Sequence, residues 1–167
     1  MEKHLQNAEA RKKFKELVEE IKVCMFITTA REDNDHTRPM YAVDVDDAGA
    51  VWFFTDIRSI KVDEVTRERD VHLVFSHPGK ESYMDVWGKA SVNTDRALIK
   101  EKWNFMVKAW FPNGSDDPNV ALLQVKPTHI YYWDTESGKM VEFIKTIVGA
   151  ITSNPKIAEG KEGKLAI

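Results

Sequence analysis

The chain has one cysteine, Cys24, in 167 residues, so an internal disulfide is excluded and the thiol usage suits a reducing compartment. Charge of either sign is not in large excess. With 24 Lys and Arg against 27 Asp and Glu, the formal charge is -3 and the isoelectric point about 6.0, so no overall basic field recommends a nucleic-acid partner. No apolar run approaches the length of a membrane span, and the opening MEKHLQNAEARKK is charged with no apolar stretch behind it. These features predict neither signal peptide nor anchor, no membrane partner, and a cytoplasmic protein. Spaced metal ligands are also lacking: His4, His36, His72, His77 and His129 share no helix spacing and have no cysteine partners. The acidic group Asp44, Asp46 and Asp47 reads as a hairpin turn whose carboxylates alternate between faces, so no metal is expected. Neither a Gly-rich phosphate loop nor a G-x-S-x-G nucleophile turn occurs, and no catalytic residue is identified. There is no internal repeat and no linker.

The length and the 43% hydrophobic content fit a single domain, 1–167, with a substantial core. Phe14, Leu17, Val18 and Ile21 recur at helical spacing and predict an amphipathic helix over about 7–22, a flank for the core. Short β-rich runs follow at 24–29, 38–44, 50–55, 71–76 and 82–92, the last broken at Gly88, with tight polar turns between them. Two more strands are predicted at 120–125 and 129–133, separated by Lys126-Pro127-Thr128. Short strands without alternating long helices argue for a closed antiparallel barrel, about 24–134, rather than a parallel sheet. Thr94-Asp95 predicts a helix cap ahead of Ala97, Leu98 and Ile99, and 110–118 an irregular loop. A C-terminal extension, 135–167, holds a mixed segment at 140–151 and one short strand at 164–167. Cys24, inside an apolar run, reads as a small buried hydrophobe.

The stretch RPMYAVDVDDAGAVWFFTDIRSIK, 38–61, carries the candidate chemistry. A hairpin is followed by Asp56-Ile57-Arg58 and then Ser59, placed to cap a helix that starts near Ile60 and buries Val62 and Val65. A helix N-terminus carries free N–H groups and partial positive charge, and Ser59, Lys61 and Arg38 beside it suit a phosphate. Taken alone, such residues are more often a plain cap and two solvated charges. Five tryptophans accompany them. Trp110 in a loop and Trp133 beside Tyr131 and Tyr132 are placed to flank a flat ring, although core packing is the usual role of such aromatics.

Four segments together, FITTAREDNDHTRPMYAVDVDDAGAVWFFTDIRSIKVDEV, WGKASVNTDRALIKEKWN, KAWFPNGSDDPN and VKPTHIYYWD, resemble the FMN-binding split-barrel superfamily typified by pyridoxamine 5'-phosphate oxidase, and within it the general stress protein 26 branch. The resemblance spans Phe14 to Trp133. It implies a mainly β fold with flanking helices, a six-stranded antiparallel split β-barrel, usually a homodimer with FMN in clefts built by both subunits. It also implies that Arg38, Ser59 and Lys61 meet the FMN phosphate, and that Phe54 and Thr55 lie along the flavin and its ribityl chain. Tyr83 falls near the cofactor and Trp133 contacts it from the other subunit; Met40 and Trp110 are further candidates.

Two departures bear on activity. Val43 stands where the oxidases carry a second basic phosphate ligand, and the chain ends GKLAI without the R-L-x-P type tail or the Arg/His pair that binds pyridoxal substrate. They argue against a true pyridoxamine phosphate oxidase. The remaining charge-assisted bonds, roughly 1.5–3 kcal/mol each, still suffice to hold FMN. The implied function is a stress-related flavoprotein and oxidoreductase acting on a small substrate or NAD(P)H. A non-catalytic flavin store, or a split barrel holding haem or a deazaflavin, stays open.

Overall fold

In a computed structural model the protein is described over residues 5–29, 35–134 and 161–166, with side chains over 8–29 and 35–133. The elements in order are β1 (Leu5–Gln6), α1 (Asn7–Ile21), β2 (Val23–Thr28), β3 (His36–Val45), β4 (Val51–Asp56), α2 (Ile60–Arg67), β5 (Asp70–His77), β6 (Ser82–Asn93), α3 (Arg96–Lys102), β7 (Val120–Asp134) and β8 (Lys161–Ala166). Short 3-10 turns lie at Pro78–Lys80 and Phe105–Ala109. No described helix is long and apolar enough to cross a membrane.

The strand order β1-β8-β7-β4-β3-β2-β5-β6, with β6 pairing back onto β7, closes β2 to β7 into a six-stranded antiparallel barrel. Closure leaves fewer free sheet edges of the kind that invite aggregation. β8 adds to the far half of β7 and carries β1 in parallel. The predicted final strand is therefore present but begins at Lys161; the predicted segment 140–151 lies outside the described residues.

The core follows from two-residue alternation. Cys24, Phe26 and Thr28 of β2 and Val71, Leu73 and Phe75 of β5 point inward, while their neighbours face out. Phe14, Leu17 and Val18 on one stripe of α1 are buried in the same cluster, and each such side chain contributes about 1.5–3 kcal/mol. Burial pushes the Cys24 thiol well above its ordinary range, which leaves it inert. A second cluster, Trp52, Ile99, Val120 and Leu122 with Phe54, Trp103 and Phe111 against it, binds α3 to β4 and β7.

The two strands expected on either side of Pro127 are one continuous strand, β7. β6 runs beside it throughout and absorbs the proline with a register shift, pairing Trp87 with His129 and Gly88 with Pro127. Pro127 lies past Val125, the last residue that pairs with β4, so on that side its missing N–H is not demanded. Gly88 is required there by crowding: a Cβ would sit 2.7 Å from the Lys126 carbonyl oxygen.

The feature that positions the site is where pairing stops. The β3–β4 ladder runs from Val45↔Val51 to Ala42↔Phe53, with a register shift between Ala42 and Asp44, and goes no further. His36 to Tyr41 then pair only with β2, and Phe54 to Asp56 only with β7. The barrel wall splits at this point.

Candidate functional site

The split opens a cavity of about 910 Å³, within the size range of small-molecule and cofactor sites. Arg38, Pro39, Met40 and Tyr41 line it from β3, and Phe54, Thr55 and Asp56 from β4. Arg58 and Lys61 come from the start of α2, and Met106, Val107, Trp110, Phe111 and Pro112 from the segment after α3. One end is cationic and hydroxylic; the other is aromatic and aliphatic.

At the polar end, Lys61 Nζ donates to Thr55 Oγ1 at 3.1 Å, and Thr55 Oγ1 lies 3.2 Å from Ser59 Oγ. Ser59 occupies the N-cap position of α2 as expected, yet its hydroxyl makes no capping bond and turns to Thr55 instead. The first amides of α2 thus have no side-chain cap, the arrangement in which an anion serves as the cap. Burial, and next the Arg38 guanidinium, push the Lys61 pKa below its ordinary value. Two cations face one space, and an anion between them would relieve both.

Arg38 is braced rather than free. Its Nη1 donates to Thr28 Oγ1 at 2.9 Å and its Nη2 to Glu64 Oε2 at 3.0 Å. Thr28 in turn donates to Glu64 at 2.6 Å, and His36 Nδ1 bonds the other Glu64 oxygen. Burial acts to raise the Glu64 pKa, but the bonds from Thr28 and His36 together with the Arg38 charge outweigh it, so the carboxyl is held below its usual value. Asp56 is held down to about 2 by its bonds to the Arg58 side chain and amide, and it keeps Arg58 at the rim.

Of the residues predicted from sequence, the fold brings Arg38, Met40, Phe54, Thr55, Lys61 and Trp110 to this cavity, with Ser59 bonded to its wall through Thr55. Tyr83 and Trp133 lie elsewhere: they are cross-strand partners on β6 and β7, both partly exposed, and do not line the cavity of their own chain. Val43 lines the cavity where a second basic ligand was looked for. Sequence reasoning missed the role of Glu64 and the contribution of Tyr41, whose ring lies 5.9 Å from that of Trp110. Arg58, adjacent to Ser59 in the chain, carried a signal that was available.

The acidic turn is spent on structure. Asp46 accepts from the amides of Ala48 and Ala50 and from Trp52 Nε1, and Asp44 binds Lys102 at 2.6 Å.

Comparison with known proteins agrees with this fold. Residues 9–156 match the family model described as pyridoxamine 5'-phosphate oxidase like. General stress protein 26 of Bacillus subtilis is 26% identical over 107 residues, 62% of this chain and 74% of that protein. Among solved structures, a provisionally assigned general stress protein 26 from Jannaschia sp. CCS1 superposes with a TM-score of 0.75 at 26% identity, covering 96% of this chain and 100% of the other. A general stress FMN/FAD-binding protein from Xanthomonas citri gives 0.65 at 30% identity, covering 75% and 87%. With the split barrel, its cavity and a model match over most of its length in agreement, the chain belongs to the pyridoxamine 5'-phosphate oxidase-like family.

Proposed function

We propose that the split cavity binds FMN, with the phosphate at the Arg38, Lys61, Thr55 and Ser59 end and the flavin ring toward Phe54, Met40 and Trp110. The observation that carries this reading is the pair of cations, Arg38 and Lys61, facing one space beside an uncapped helix start. The donor set fits the group: a phosphate needs charge and N–H donors, and a flavin ring needs flat apolar walls. The FMN/FAD-binding description of the Xanthomonas citri relative supports the same assignment.

When bound, the flavin supplies the redox chemistry, and the activity proposed is oxidation or reduction of a small substrate with reduced nicotinamide as a donor. The chain's own residues would fix the phosphate, hold the ring and exclude water from it. A second copy closes the open side in this proposal, because Tyr41, Met106 and Trp110 leave an apolar rim and Trp110 is 58% exposed. Trp133, and Tyr83 beside it, would then reach the flavin of the partner. A location in the cytoplasm fits the single buried cysteine.

The test is to purify the protein with added FMN and measure the retained chromophore, then repeat with Arg38→Ala and Lys61→Ala combined. Loss of the yellow form in the double variant is expected; undiminished retention would overturn the phosphate assignment. Steady oxidation of NADH or NADPH by the holoprotein separates an oxidoreductase from a flavin store, and the absorption spectrum separates FMN from haem or a deazaflavin.

A further inference from the structure

Three cations line the cavity, but they are not equally available. Arg58 closes on Asp56 at 2.7 and 3.0 Å, and Arg38 closes on Glu64 at 3.0 Å. Lys61 has no carboxylate partner among the described residues and bonds only the Thr55 hydroxyl. Glu64 is no loose surface acid. Its side chain is 10% exposed and takes bonds from Thr28 on β2, from Arg38 and His36 on β3, and from no other described group. It stands behind Arg38, outside the lining of the cavity. A guanidinium has five N–H groups, and Arg38 spends one on Thr28 and one on Glu64, which leaves three for an incoming anion.

We propose that Glu64 is the positioning residue that sets the selectivity of this site for phosphorylated flavin: it fixes the plane of the Arg38 fork and withdraws part of the fork's charge from the ligand. The inference rests on the flavin reading of the cavity. Two effects of opposite sign are combined in one carboxylate. Bonds from both Thr28 and Glu64 lock the guanidinium, which favours any ligand that fits the fork. Pairing with the carboxylate draws part of the fork's charge away from a phosphate dianion, a loss that a neutral ribityl hydroxyl barely feels. A site so built prefers FMN over riboflavin by less than its count of cations suggests, and accepts flavins that present a phosphate of lower charge.

The experiment measures Kd for FMN and for riboflavin, by quenching of flavin fluorescence, in the full chain and in Glu64→Gln, Arg38→Gln and the double variant. Glutamine keeps the shape and the acceptor oxygen but removes the charge. The riboflavin-to-FMN Kd ratio is expected to rise about tenfold in Glu64→Gln while the riboflavin Kd moves by less than about threefold. In the Arg38→Gln background the same substitution should leave the ratio within about threefold. A purely structural Glu64 weakens both flavins together and leaves the ratio unchanged; that result, or a fall in the ratio, overturns the proposal. Should Glu64→Gln fail to melt cooperatively, Glu64→Asp, which draws the carboxylate back by one methylene, must move the ratio the same way. If the unaltered chain binds FMN but the ratio is unmoved in Glu64→Gln, this inference alone falls, whereas an unaltered chain that binds neither flavin sinks the reading beneath it as well.

Discussion

Two arginines, Arg38 on the cavity wall and Arg96 at the start of α3, show how the same side chain serves different ends. Arg96, the first residue of α3, gives Nη1 to the Val120 carbonyl at 3.0 Å and Nη2 to the carbonyls of Asp117, at 3.0 Å, and Ser115. All three acceptors are backbone, so Arg96 pins the loop that leads from Phe111 into β7. Arg38 instead bonds one carboxylate and one hydroxyl, lines the cavity, and has three N–H groups without a partner among the described residues. A guanidinium spent on main-chain carbonyls is structural; one braced from behind by side chains is preorganised for a ligand.

That contrast is open to direct attack. Arg38→Ala should weaken FMN binding on the order of a hundredfold or more, from two lost charge-assisted bonds, while costing only about 1 kcal/mol of stability because Thr28 and His36 still satisfy Glu64. Titration calorimetry and denaturant unfolding read the two quantities. Arg96→Ala should show the reverse: about 2–3 kcal/mol less stable, with FMN affinity changed by less than about tenfold. If the two variants behave alike in both measurements, the distinction between the corners is wrong. Smaller than either is the effect of Val43→Lys, which restores a cation at the lining position where the oxidases carry one; a gain of about threefold in FMN affinity is expected.

The acid limb of stability refines the account of the Arg38 corner. Glu64 titrates below its ordinary 4.5 in the folded protein, so its contribution is fully present above that value and is lost as pH falls through the folded pKa. Unfolding followed from pH 6 downward should therefore show a shallower decline in Glu64→Gln than in the unaltered chain. Smallest is the effect on Lys61. Its folded pKa is lowered by burial and by Arg38, so the ammonium costs stability at neutral pH, and that cost fades as pH rises through the folded value toward 10.5. Bound FMN should move the Lys61 titration upward, observable by NMR of the isotope-labelled side chain. A downward or absent shift in saturated protein would place the phosphate elsewhere.

Much of this was legible along the chain. Alternation gave the strands, helical spacing gave α1 and α2 with Val62 and Val65 inward, and Asp95 caps α3 through the amides of Ala97 and Leu98 as expected. Pro127 misled, because a local rule about strand breaking yielded to the pairing that β6 imposes through Gly88, 39 residues earlier in the chain. Ser59 misled in part. Its position at the helix start was correct, but the hydroxyl it engages belongs to Thr55.

The sequence by itself determined a run of barrel-forming strands and placed Ser59, Lys61 and the β3 arginine within 24 residues of one another, since periodicity and turn chemistry act over short spans. Only the tertiary structure decided that β3 and β4 part after Ala42↔Phe53, and that the opening faces α2 and the segment around Trp110. It alone put Glu64 behind Arg38, 26 residues away in the chain. Those outcomes depend on which strand edges find partners and which charges share a low-dielectric space, and both are properties of the closed barrel rather than of any stretch within it.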